Sequence, residues 1–135
     1  MMRKTILIIF LFILPYIAKS QGNMFFNKKQ SQIISLIKKM KGVEIMEKYP
    51  EYIQAIDTIK INNLIFYFEN GLCNKFVTTH QIEQDYNKIL NYLDLMYEKT
   101  NINEWYFNFD QGKDIITLEK KNGYFLVKEE FYPSK

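Results

Sequence analysis

The chain of 135 residues has one cysteine, one histidine, one arginine and five glycines. Each shortage removes a class of chemistry. A lone Cys73 makes no internal disulfide, and a lone His80 and Cys73 leave no cluster with zinc spacing. The strand context of Cys73 predicts a small buried hydrophobe and not a reactive thiol. No Gly-x-Ser-x-Gly elbow and no phosphate-cradling glycine loop is present, and two of the five glycines belong to Asn-Gly turns. No Asn-x-Ser/Thr sequon occurs. Asp110-Gln111-Gly112-Lys113-Asp114 has carboxylates around a glycine but lacks the oxygen ligands and closing Glu of a calcium loop, and reads as a hairpin turn. No cofactor or metal is expected.

Charge of one sign is also missing once the first twenty residues are set apart. Arg3 and Lys4 precede an apolar run from Ile6 to Ile17, and Ala18-Lys19-Ser20 places small residues before Gln21. This is the pattern of a cleaved secretory signal, residues 1–20, and the run is short for a membrane span. A single domain, 21–135, is expected to remain. Without Arg3, Lys4 and Lys19 its basic and acidic residues are equal in number. A net-neutral exported domain does not suit nucleic acid, which needs concentrated positive charge. The absence of a disulfide framework favours a bacterial envelope, periplasmic or secreted, over a eukaryotic extracellular setting. No stable membrane insertion is expected after cleavage, and the lysines of the first helix, offset by Glu44, Glu47 and Glu51, read as a solvated face.

What the sequence has in quantity is Ile, Lys, Asn, Tyr and Phe, which supply 69 of the 135 residues. Such a bias fits AT-rich coding, so a Lys or Asn is not functional on identity alone. The pattern carries more. Asn27, or a later start near Ser31, opens a helix with Ile33, Leu36, Ile37 and Met40 on one stripe, and Gly42 stops it. Residues 43–57 carry little signal beyond the break at Tyr49-Pro50. Thr58–Ile61 and Leu64–Glu69 read as strands around an Asn62-Asn63 turn, and Asn70-Gly71 is a type I′ hairpin signal leading into Leu72–Thr78. Thr79 offers the cap of a second helix with Ile82, Tyr86, Ile89, Leu90, Leu93, Met96 and Tyr97 on its apolar face, ended by Thr100-Asn101. Trp105–Phe109 alternates as a strand. Ile115–Lys120 and Tyr124–Glu130 follow around Asn122-Gly123, and Phe131–Lys135 reads as a fraying tail.

The predicted class is α+β: one antiparallel sheet with two helices packed on one face, in a pattern that suggests a duplicated αβββ unit at a shift of about fifty-three residues. The other sheet face would meet solvent or a partner. Phe66-Tyr67-Phe68 and Trp105-Tyr106-Phe107 put aromatics on both faces of their strands, and Tyr67, Tyr106 and Tyr124 are the candidate binding residues on the open one. These observations favour a small exported, non-catalytic binding domain whose partner is a protein or small ligand. The alternatives are a hydrolase-like enzyme in which His80 meets a carboxylate such as Asp85, and a structural envelope component. His80 itself reads as an exposed first-turn helix residue. Glu129 and Glu130 are adjacent on a strand and point to opposite faces, so they do not converge on one substrate.

Overall fold

The computed structural model describes residues 24–59, 62–81 and 83–134. The expected signal segment 1–20, residues 21–23, Lys60, Ile61, Ile82 and Lys135 lie outside the described residues. Among the described residues two helices, α1 (Gln30–Lys38) and α2 (Gln84–Met96), each precede four strands. The first set is β1 (Val43–Lys48), β2 (Tyr52–Asp57), β3 (Asn62–Glu69) and β4 (Leu72–His80). The second is β5 (Glu98–Asn101), β6 (Glu104–Phe109), β7 (Gly112–Lys120) and β8 (Phe125–Pro133). All eight form one antiparallel sheet in the order β1-β2-β3-β4-β8-β7-β6-β5, which is symmetrical about the central β4–β8 pair.

Strand alternation decides which face is covered. On β8, Phe125, Val127, Glu129 and Phe131 are all buried and share one face. Phe125 and Val127 join a core with Ile89 and Leu93 of α2, together with Trp105, Ile116 and Leu118. Phe131 joins a second core with Ile33 and Ile37 of α1, together with Ile53, Ala55, Leu64, Phe66 and Phe76. One strand face thus serves both helices, and the class expected from the sequence is the class found. The buried pair Ile33 and Ile37 corresponds in spacing to Ile89 and Leu93, so the helices align at a shift of 56, not 53.

Each half has four strands where three were expected, and the difference lies at the sheet edges. Tyr49-Pro50-Glu51-Tyr52 closes a hairpin through Tyr49 N–H to Tyr52 O (2.9 Å) and Tyr52 N–H to Tyr49 O (3.2 Å), so the proline marks a turn between two strands. Of the strand expected at Thr58–Ile61, Thr58 and Ile59 form a turn, and Lys60 and Ile61 lie outside the described residues. Thr58 N–H and its hydroxyl both donate to Gly42 O (2.7 and 2.8 Å), and Asp57 Oδ1 accepts from Ile59 N–H at 3.0 Å, which turns the chain after β2. Asn62 and Asn63 open β3 instead of making the turn. At the other edge, β5 was missed because α2 ends at Met96, ahead of Thr100-Asn101, where Tyr97 becomes extended. Both edge strands are short and interrupted by bulges, at Ile45/Glu47 and at Lys99/Asn101, which blunts them against stray pairing.

Local backbone chemistry explains the remaining differences. Asn70 and Gly71 both have positive φ (54° and 79°), as a type I′ hairpin requires. Asn27 is left-handed (φ 61°), so Lys29 takes the cap position of α1 and its N–H donates to the Gln32 side chain at 2.9 Å. Thr79 does not cap α2, because β4 runs on through Thr79 and His80 in register with Leu126 and Phe125. Of the expected fraying tail Phe131–Lys135, Phe131 to Pro133 continue β8, with Phe131 buried and Gly112 paired with Pro133, and Lys135 lies outside the described residues.

Candidate functional site

The face opposite the helices has no second layer among the described residues. One cross-strand row runs Tyr52, Tyr67, Lys75, Glu130, Ile115, Tyr106, Glu98 from β2 to β5. The next row holds Gln54, Ile65, Val77, Lys128, Thr117 and Glu104. Ile65 and Val77 are cross-strand neighbours on β3 and β4, Ile115 stands on β7 beyond Lys128 and Glu130 of β8, and tyrosines stand on either side of this stretch.

The tyrosines are held in place by charged neighbours. Lys75 Nζ lies 5.3 Å from the centroid of Tyr67 and Lys113 Nζ lies 4.6 Å from that of Tyr106, both cation–π distances. Tyr106 donates its hydroxyl to Glu98, and Tyr52 donates to Glu47 at 3.1 Å. The pKa of Tyr106 is raised, chiefly by its hydrogen bond to Glu98, and that of Tyr52 is raised by desolvation first and then by Glu47, so both phenols stay protonated. Lys128 and Glu119 form an ion pair at 2.9 Å across β8 and β7. The side chains are therefore pre-ordered, which lowers the entropy lost on contact with a partner.

Of the three tyrosines singled out from the sequence, Tyr67 and Tyr106 share the row just described. They are four strand spacings apart, about 19 Å. Tyr124 stands apart from them, exposed in the turn between β7 and β8, where Lys121 N–H donates to Tyr124 O at 2.8 Å. The structure adds Tyr52, 6.3 Å from Tyr67 between ring centroids, with Tyr49 a further 5.1 Å along. The alternation of Tyr52, Gln54 and Ile56 with Ile53 and Ala55 carried that signal, but the neighbouring proline obscured it.

Of the other sequence candidates, His80 and Cys73 fall on the covered face. His80 is not an exposed helix residue: it is 1% exposed at the end of β4, stacked on Phe125 at 4.7 Å and 7°. Its Nε2 is 2.7 Å from Thr78 Oγ1 and its Nδ1 is 3.4 Å from Asn62 Nδ2. Cys73 is fully buried, and desolvation pushes its thiol up to about 12, against thiolate chemistry. Asp110 and Gln111 make the expected hairpin turn, while Asp114 lies inside β7 and is buried. Glu129 is buried and Glu130 lies on the open face, so the adjacent pair diverges as expected.

Sequence reasoning missed one polar feature, the buried pair Asp114 and Glu129. The signal was a carboxylate at the inward phase of an otherwise apolar alternation: Gly112, Asp114, Ile116, Leu118 on β7 and Phe125, Val127, Glu129, Phe131 on β8. No protein-family model matches the chain, and neither a curated protein nor a solved structure does. Among the described residues no group of three or more His, Cys, Asp or Glu could hold a metal, and no helix is long and apolar enough to cross a membrane.

Proposed function

We propose that this is an exported, non-catalytic binding domain whose open sheet face docks a protein partner. The observation that carries the reading is the placement of both helices on one face of an eight-stranded sheet, which leaves the opposite face uncovered among the described residues, with Tyr52, Tyr67, Tyr106, Ile65, Val77 and Ile115 on it. Seven strand spacings give that face a width of about 34 Å. Such breadth matches a protein footprint better than a small molecule, which prefers an enclosed concavity. Tyr adds apolar area with a polar tip at low entropic cost, and recurs in the residues that dominate protein interfaces. Hydrolytic chemistry at His80 is disfavoured because the imidazole is shut away between Thr78, Asn62 and Phe125, with no exposed edge for a substrate.

Native mass spectrometry of the protein purified gently from its own host tests this reading, with Tyr67→Ala/Tyr106→Ala beside a control on the outer face of α2, Asn91→Ala. A specific protein adduct is expected on the wild type and the control. The double variant is expected to bind at least tenfold more weakly, since one interface tyrosine of this kind is worth about 2 kcal/mol. Its melting temperature should change little, because both rings are partly solvated. A wild-type chain that carries no partner, or a double variant that retains it, would overturn the proposal.

A further inference from the structure

The antiparallel ladder at one sheet edge stops short, and the gap has a defined shape. β5 pairs with β6 from Glu98 at Tyr106 to Asn101 at Glu104, while β6 runs on through Phe107, Asn108 and Phe109, which pair only with Asp114, Lys113 and Gly112 of β7. The chain does not extend β5 back along this edge, because residues up to Met96 are helical and Tyr97 is the first extended one. The end of α2 therefore stands beside the unpaired stretch of β6. Between them is a recess of about 440 Å³, lined by Leu95, Met96, Tyr97 and Glu98 from the α2–β5 segment and by Tyr106, Phe107 and Asn108 from β6. That volume is within the range of small-molecule sites. Consecutive strand residues point to opposite faces, so a recess touching all three of β6 meets the strand edge-on.

The walls of the recess are aromatic and its charge is of one sign. The Tyr97 and Phe107 rings meet edge to face at 6.0 Å and 88°, and Phe107 stacks on Phe109 at 6.1 Å, so the walls are fixed before a ligand arrives. Glu98 is exposed and accepts the Tyr106 hydroxyl, and among the described residues no cation pairs with it. The last turn of α2 has no basic residue, so the negative end of the helix dipole adds to that carboxylate. Two lysines of this region are engaged elsewhere. Lys99 pairs with Asp94 at 3.3 Å and lies over Trp105, and Lys113, on β7, lies over the Tyr106 ring at 4.6 Å. Leu95 is 83% exposed, an apolar side chain at the mouth of the recess that nothing in the fold covers.

We propose that this recess binds a small organic amine, a protonated ammonium on a compact apolar body, with Glu98 as its counter-ion, the rings of Tyr97, Tyr106 and Phe107 as walls, and Leu95 and Met96 against the apolar part. One carboxylate among aromatic rings suits an ammonium, whereas a metal ion takes several oxygen, nitrogen or sulfur ligands. An anion would be repelled by Glu98 and by the carbonyl end of α2. A neutral ring compound would gain the walls without the counter-ion. The site adjoins the β5 end of the open face but does not depend on a protein docking there.

Magnetic resonance titration of the isotope-labelled protein at neutral pH with benzylamine, benzyl alcohol and benzoate, which share a ring and differ in charge, tests the site. Benzylamine is expected to shift the amides of Met96 to Glu98 and of Phe107 and Asn108 saturably, benzyl alcohol to bind about tenfold more weakly, and benzoate not to bind. Glu98→Gln keeps an acceptor for Tyr106 on an exposed strand and should weaken benzylamine about fivefold. Glu83→Gln, exposed at the other end of α2, should leave it unchanged. Should Glu98→Gln fail to fold, the three compounds on the wild type decide alone. No saturable shift at these amides, equal binding of the three compounds, or undiminished binding in Glu98→Gln would overturn the site. Tighter binding of Nα-acetyl-lysine amide than of benzylamine would give the recess to a lysine of another protein and overturn the small-molecule assignment.

Discussion

Trp105→Ala is expected to remove about 3–5 kcal/mol of stability, enough to leave a domain of this size largely unfolded at 37 °C. Trp105 is the largest fully buried side chain and stands in register with Ile116 at the middle of the core under α2. Its indole Nε1 donates to Asp94 Oδ1 at 3.0 Å, which ties the sheet to the last turn of α2. Lys99 completes the arrangement, 3.3 Å from Asp94 and 5.4 Å from the centre of the Trp105 ring system. Most of the loss comes from the cavity, because Asp94 and Lys99 are both well exposed and their pair contributes little. Trp105→Phe should therefore recover more than half of it. Urea denaturation followed by far-ultraviolet circular dichroism measures both; a loss below about 1 kcal/mol for Trp105→Ala would show that α2 does not depend on this core.

Gly112→Ala is expected to cost about 3 kcal/mol, although alanine is among the smallest possible insertions. A Cβ at Gly112 would run into the backbone carbonyl oxygen of Tyr132 and would stand 2.9 Å from Pro133 Cα and from the Phe131 ring. Backbone cannot swing aside as the end of a long side chain can. The end of the β7–β8 ladder must open, taking with it the Ser134 N–H bond to Gln111 O (2.9 Å). Gly71→Ala and Gly123→Ala make instructive contrasts, since no atom lies within 4 Å of a Cβ at either site and only their positive φ opposes the change. Their expected loss is about 1 kcal/mol. Thermal denaturation of the three variants separates close approach from backbone strain.

The parts of the fold that were legible in the sequence are those where one periodicity has no competitor. The stripe of α2 and the alternation of Trp105, Phe107 and Phe109 with Tyr106 and Asn108 each admit a single reading. The failures share a different cause. β1 is an exposed edge strand with few buried positions, so its alternation is weak, and β5 is exposed along all four residues. Thr58–Ile61 has β-branched residues, yet the side chains of Asp57 and Thr58 capture local backbone groups and turn the chain. Thr79 resembles a cap and so puts His80 on a helix by local preference; pairing of Thr79 with Leu126 and of His80 with Phe125 overrides that preference.

The candidate site was legible only in part, for a related reason. Tyr67 and Tyr106 fall on the open face because their strands are long and their partners Phe66 and Trp105 are plainly core. Tyr124 precedes Gly123's turn partner strand by one residue, and parity alone does not distinguish a strand's first residue from the turn before it. Asp114 and Glu129 needed the register as well as the pattern, since they stand on neighbouring strands and only the β7–β8 pairing sets them two positions apart on one face.

The most direct test of the proposed docking face is site-specific photo-crosslinking in the producing cells. Thr117 lies in the middle of the open face, between Glu104 and Lys128, whereas Asn91 is exposed on the outer side of α2. With a photoreactive residue at position 117, a discrete crosslinked protein is expected; at position 91, none. Crosslinking from position 91 with none from 117 would place the working surface on the helices and contradict the account.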